Sequence, residues 1–186
     1  MNDFLHYGYG IVITLAWLTF LAYWIYASRT AKKTVKRTNI SWTMRLTLVA
    51  ILIIVGFTHL HLPGYHSSPA VGWIGAALAV IGVGYAIYAR RYLGQNWGMP
   101  MSVKENPDLV TSGPYAYVRH PIYSGMLLTM IGSLAAAGVA WLIILVIYFV
   151  YFVYSAKKEE KLLAETFPDT YPAYKARTKM LIPFVF

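Results

Sequence analysis

Hydrophobic runs without a formal charge divide the chain into alternating apolar and polar stretches. Residues 4–28, 46–62 and 71–89 contain no Asp, Glu, Lys or Arg. Each is close to the length of a helix spanning a bilayer, which takes about 20 residues for a ~30 Å hydrocarbon core. No basic residues precede the first run and no small-residue cleavage site follows it, so it reads as a span rather than a removed signal peptide. Pro63-Gly64 closes the second run. The third carries Gly72, Gly75, Gly82 and Gly84, at spacings that let helix backbones approach closely. Between Arg119 and Lys157 lie 37 residues without a charge. A single helix of that length would measure about 55 Å. The pattern therefore predicts a helical hairpin, 121–136 and 139–156, turning near Ala137-Gly138. A separate amphipathic helix is predicted from Lys157 to Phe167. The expected fold is all-α: a polytopic membrane protein with about five transmembrane helices and a C-terminal helical hairpin, in one membrane domain over 1–186.

Composition sharpens this picture. Apolar residues make up 58% of the 186 and charged residues 12%, against about 25% charged in an average soluble domain. That excludes a disordered chain and argues against a water-soluble globule. With no cysteine, disulfide frameworks, thiol nucleophiles and Cys-based metal sites are excluded. The net charge is +9, and all 16 Lys and Arg fall within 29–45, 90–119 and 157–179. Basic loops mark the cytoplasmic side, so five spans with the N-terminus outside and the C-terminus in the cytoplasm are expected. The basic excess then matches anionic membrane lipids, and no nucleic-acid partner or obligate protein partner is expected.

Two polar regions share that face, 90–121 and 157–186. The first contains Thr111-Ser112-Gly113-Pro114-Tyr115-Ala116-Tyr117-Val118-Arg119-His120-Pro121-Ile122-Tyr123-Ser124-Gly125. Gly113-Pro114 signals a turn. Pro121 suits a first helical turn, whose free N–H groups and positive dipole can receive a carboxylate. The same residues also read as a membrane-interface belt, with a snorkelling Arg and a ring of Tyr. In the second region, Lys157-Lys158-Glu159-Glu160 follows the last apolar run directly. Carboxylates at a membrane boundary are costly without a partner or ligand. Consecutive helical residues point about 100° apart, so one Glu can face inward while the other faces water. Tyr171 and Tyr174 read as an interfacial anchor. His59 and His61 form an HxH pair with no acidic neighbour in sequence, and no metal site is expected there. P-loop, GxGxxG, HExxH and GxSxG motifs are absent from the sequence.

Taken together, the motifs resemble a known family. Leu93-Gly94-x-Asn96-Trp97, Gly113-Pro114-Tyr115, Arg119-His120-Pro121-x-Tyr123-x-Gly125, Glu159-Glu160, Phe167-x-x-x-Tyr171-x-x-Tyr174-x-x-Arg177 and Pro183-Phe184 resemble the isoprenylcysteine carboxyl methyltransferases, within a wider set that includes membrane phospholipid methyltransferases. The resemblance covers about residues 90–186, which it makes the cofactor-binding catalytic part; 1–89 form the three-span N-terminal part. It implies S-adenosylmethionine bound at the cytoplasmic face and methyl transfer to the carboxylate of a lipid-attached, prenylcysteine-like acceptor that enters from the bilayer. The cofactor residues it implies are Asp108, Leu109 and Val110 (largely through backbone), Tyr115, His120, Pro121, Ile122, Tyr123 and Glu159. A cation to orient the acceptor would be Arg119 or Arg177.

Two positions depart from the family pattern. Pro107 stands where relatives usually carry His, and Ser155 where eukaryotic relatives carry an Arg assigned to the substrate. An amine acceptor would require a base, for which His120 is the candidate. Competing readings are a phospholipid amine N-methyltransferase, an NADPH-dependent sterol-type membrane reductase, and a non-enzymatic lipid-binding scaffold.

Overall fold

The computed structural model describes residues 2–29, 32, 34–37, 67–97, 102–138 and 140–186. The span expected at 46–62 lies outside these residues, as do His59, His61 and His66. Helix α1 covers Asn2–Ser28, α2 Pro69–Leu93, α3 Pro121–Ala137, α4 Ala140–Thr166 and α5 Tyr171–Arg177. Among the described residues, three stretches are long and apolar enough to cross a membrane: Gly8–Ser28, Pro69–Asn96 and Trp141–Thr166. The 17 residues of α3 make a rod of about 26 Å, the short arm of the hairpin. A small antiparallel ribbon, β1 (Thr34–Arg37) with β2 (Ser102–Lys104), is added to the helical fold that the sequence predicts.

Local chemistry sets the helix ends. The Val71 N–H donates to the Ser68 hydroxyl at 3.4 Å, and Pro69 follows as the first helical residue of α2. Gly138 ends α3 with φ 98°, a conformation that costs glycine little, and its N–H donates to the Leu134 carbonyl at 3.0 Å. The turn predicted at Ala137-Gly138 is therefore where the chain reverses.

The helix expected to begin anew at Lys157 does not. Instead α4 continues unbroken for 27 residues, from Ala140 through the charged tetrad to Thr166. No Gly or Pro interrupts 140–167, and Lys, Glu, Leu and Ala are strong helix formers. The tetrad thus rides on the same rigid rod as the apolar arm.

Helices α2 and α3 meet through backbone rather than bulk. A Cβ added at Gly82 would lie 2.6 Å from the Gly125 carbonyl oxygen, and one at Gly125 would lie 2.7 Å from that of Gly82. Further along, Gly75 and Gly132 oppose each other in the same way, so the two helices run antiparallel. In lipid there is no hydrophobic drive between helices, and close van der Waals contact of this kind replaces it. Helix α1 packs beside them, with Ile13, Ala16 and Phe20 against Ala76, Ala79, Val83 and Ala86. The Trp17 indole donates to the Ser133 hydroxyl at 3.1 Å and stacks on Trp141, centroids 5.9 Å apart.

At the polar end, Arg90 is buried and donates to the Ala27 carbonyl and to the Gly94 carbonyl, each at 2.7 Å. Its guanidinium lies 4.6 Å from the Trp97 ring centroid. The C-terminal ends of α1 and α2 therefore meet at one level, and the two helices run parallel.

Candidate active site

The start of α3 and the polar end of α4 come together, and most of the predicted site residues stand there. Pro121 is the first residue of α3 and His120 its N-cap, with no side-chain hydrogen bond capping the helix. Its first N–H groups are left to a ligand or to solvent. The imidazole of His120 stacks on Tyr123 (5.5 Å, 6°), and Tyr123 in turn stacks on Phe152 of α4 (4.6 Å, 7°). The Tyr123 hydroxyl donates to Glu159 Oε1 at 2.5 Å. Glu159 Oε2 lies 3.5 Å from His120 Nδ1, and the Glu159 side chain keeps 23% of its surface exposed. Ile122 is half-buried and packs on the apolar cluster formed by α3, α4 and Leu181.

Glu160 faces the other way, into the protein. Its side chain is 4% exposed and accepts from Arg119 Nε at 2.7 Å and Lys175 Nζ at 2.9 Å, with His120 Nε2 at 3.5 Å. The two glutamates thus divide: Glu159 stands at the partly open edge with Tyr123, and Glu160 holds three basic side chains below it. Burial alone would lower the His120 titration, but hydrogen bonds and charges from Glu159 and Glu160 outweigh it and raise it above the usual histidine value.

A terminal strap locks this arrangement from outside. The Arg119 and His120 N–H groups donate to the Lys179 and Met180 carbonyls at 2.8 and 3.1 Å. Arg119 Nη1 donates to the Thr178 carbonyl at 2.5 Å, Ser124 Oγ to Leu181 O at 2.5 Å, and the Tyr174 hydroxyl to Tyr115 O at 2.8 Å. Tyr171 and Tyr174, read from sequence as interfacial anchors, are instead buried. The proximity of Pro172-Ala173 to solvent leaves the opposite pair facing the core, as helical spacing demands.

Tyr115 is buried in a short 3-10 turn, Gly113–Ala116. Burial, then the charges of Tyr174 and Glu159, push its phenol well above the ordinary value. Leu109 and Val110 are half-buried in the irregular segment leading to this turn. Asp108 belongs to a separate knot. It accepts from Lys32 Nζ at 3.1 Å and from Asn96 Nδ2 at 3.2 Å, while Lys32 also reaches the Asn106 carbonyl at 2.8 Å. The Lys32 and Asn96 hydrogen bonds hold the Asp108 carboxyl below its usual range.

Neither predicted acceptor cation is turned toward Glu159. Arg119 is 9% exposed in its side chain and engaged with Glu160 and the strap, so it does not snorkel. Arg177 is exposed on α5, its guanidinium 5.9 Å from the Tyr174 ring centroid. Sequence reasoning divided the Glu159-Glu160 pair but gave Glu160 no partners, and it passed over Lys175 and the strap carbonyls. The adjacent Glu159-Glu160 pair was the available signal, but their roles depend on helix phase against α5. Ser155, one turn before Glu159, is buried with no hydrogen-bond partner for its hydroxyl among the described residues.

Apolar spanning helices with a charged, tyrosine-lined cluster at the mouth of a helical hairpin define a polytopic helical membrane protein. Residues 71–170 match the phospholipid methyltransferase family, and the chain belongs to that family. It is similar to the protein-S-isoprenylcysteine O-methyltransferase of Schizosaccharomyces pombe, 33% identical over 50% of this chain and 41% of that protein. The enzyme of the same name in Saccharomyces cerevisiae is 28% identical over 60% of this chain and 48% of its own. The cobalt-zinc-cadmium resistance protein CzcN of Cupriavidus metallidurans is 30% identical over 76% and 62% respectively. The chain therefore spans between 41% and 62% of the length of these relatives. Among the described residues, no group of three or more His, Cys, Asp or Glu stands close enough to hold a metal ion.

Proposed function

We propose that this protein is an S-adenosylmethionine-dependent methyltransferase that acts on the carboxylate of a lipid-attached acceptor at the cytoplasmic face of its membrane. The observation that carries this reading is the composite of Tyr123, Glu159 and the uncapped start of α3 at one partly open edge. The donor set fits the cofactor. A partly exposed carboxylate can accept from its amine or ribose hydroxyls. The free N–H groups of a helix start suit its own carboxylate. The ring of Tyr115 suits a sulfonium cation, while both faces of Tyr123 are taken by His120 and Phe152 and its hydroxyl sets Glu159. When bound, S-adenosylmethionine supplies an electrophilic methyl group.

The chain's own residues then bind, orient and exclude water. Glu159, Tyr123, Tyr115 and the segment 108–110 would hold the cofactor. The exposed apolar side chains of α4, among them Val146, Val150 and Tyr154, would face an acceptor arriving from the bilayer. An ionised carboxylate needs no base, and the departure at Ser155 leaves that acceptor's orienting cation to be found. A second reading, in which the acceptor is a phospholipid amine, draws only on the name of the matched family and has no better support.

The test is calorimetric titration of the detergent-purified protein with S-adenosylhomocysteine, with NADPH as control. Saturable binding of the former alone, lost in Glu159→Gln, supports the reading. Binding of NADPH alone would replace it with a reductase.

A further inference from the structure

His120 is the one ionisable ring in the cluster, and its two nitrogens have no room for a choice. Nδ1 lies 3.5 Å from Glu159 Oε2 and Nε2 lies 3.5 Å from Glu160 Oε1. A neutral imidazole carries one N–H and one lone pair, whereas the imidazolium carries two N–H donors. With one proton, whichever nitrogen lacked it would aim a lone pair at a carboxylate oxygen.

The surroundings settle which group takes the proton. Glu160, from α4, is held ionised by Arg119 from the preceding turn and Lys175 from α5. Glu159 accepts the Tyr123 hydroxyl from α3. The ring also lies parallel to Tyr123 at 5.5 Å, a face that favours a cation. The other titratable groups packed on this centre are the phenols of Tyr115 and Tyr171, whose burial keeps them protonated and uncharged.

We infer that His120 is a resident imidazolium: a positioning residue whose charge stands at ion-pair distance from both carboxylates, 3.5 Å from each although Nε2 completes no hydrogen bond, and which is not the proton acceptor of the reaction. This rests on the methyltransferase reading only for the word reaction, since the protonation state belongs to the protein without ligand. It reverses the expectation that His120 could serve as base toward an amine. An imidazolium has no lone pair to receive a proton.

The test begins with 15N-histidine NMR of the ligand-free full chain in detergent. His6, His59, His61 and His66 are replaced by Asn together, so that His120 is the only ring observed and the site is untouched. The inference requires both nitrogens in the imidazolium form at neutral pH, with titration above the ordinary histidine value, and a downward shift of that titration in Glu160→Gln. A neutral tautomer at pH 7, or a titration unmoved by Glu160→Gln, would overturn it. If the four-Asn chain does not fold, the spectrum of the wild type minus that of His120→Gln isolates the same signal.

The second readout is the affinity for S-adenosylhomocysteine against pH. It should be level in mild acid and weaken as the ring loses its proton. A strengthening affinity or a kcat/KM that rises through the same titration would mark a base and sink the proposal. Absence of any binding would instead remove the methyltransferase reading and leave the NMR result to judge the ring.

Discussion

The seam between α2 and α3 and the knot around Glu160 hold the same helix, α3, by opposite means. The seam is dry and small-sided: Gly75, Gly82, Gly125 and Gly132 bring backbones together, with Thr129 donating to its own helix at 2.9 Å. Many weak contacts add up there, and no single one decides the outcome. The knot concentrates its interactions on one carboxylate, shared by Arg119, Lys175 and His120. Burying charges is costly unless every partner is present. The seam therefore degrades by degrees, whereas the knot is complete or lost. A fold that must present reactive groups at a membrane surface gains from anchoring one helix end by each device.

The sharpest way to break this contrast is Glu160→Ala. It strands two buried basic side chains, Arg119 and His120, and releases the half-exposed Lys175, and a loss of about 3–5 kcal/mol is expected. Thermal unfolding in detergent would measure it, with the change concentrated in the 171–186 strap by hydrogen exchange. The contrast sharpens with pH. The His120 titration is raised in the folded state, so its contribution is complete below the ordinary histidine value. That contribution declines as pH rises through the raised one. The wild type should lose thermal stability over that rise, and Glu160→Gln should lose less.

The seam answers next. Gly82→Val places a branched side chain against the Gly125 carbonyl and Thr129, and overpacking of this kind costs about 1–3 kcal/mol. The same scan should show a uniform fall in melting temperature, without selective opening of the strap. Trp17→Phe removes the indole donor to Ser133, for which about 0.5–1.5 kcal/mol is expected. Lys32→Ala is the smallest. Its ion pair with Asp108, whose side chain is 73% exposed, is screened by water and salt and contributes little. High salt should erase most of that difference.

These sites differ in how far they could be read from sequence. The apolar runs at 4–28 and 71–89, the hairpin and its turn at Gly138 were legible because hydropathy and glycine act locally. The glycines of α2 announced a close approach, but Gly125, read only as part of the motif around His120, is also the surface that receives Gly82. The continuity of α4 was hidden because the change from apolar to charged residues at Lys157 resembles a boundary in composition while leaving helix propensity intact. Glu159 and Glu160 were legible as a divided pair. That Glu160 takes Arg119 and Lys175 depends on α5 folding back, contacts of |i−j| 41 for Arg119 that no local pattern encodes. The ribbon of Thr34–Arg37 with Ser102–Lys104 was missed for the same reason.

Arg90 carries a consequence for how the protein is assembled. During insertion, α2 enters the bilayer with this guanidinium near its polar end, and only the Gly94 carbonyl lies within its own neighbourhood in sequence. A cation short of acceptors at the edge of hydrocarbon is an unfavourable intermediate. Relief comes when the Ala27 carbonyl, 63 positions earlier, closes on Nη2. Docking of the first helix onto α2 is thus coupled to satisfying one charge, and bundles in which α1 drifts away or stands at the wrong depth keep that charge unsatisfied. One buried guanidinium thus ties the depth of α1 in the bilayer to that of α2.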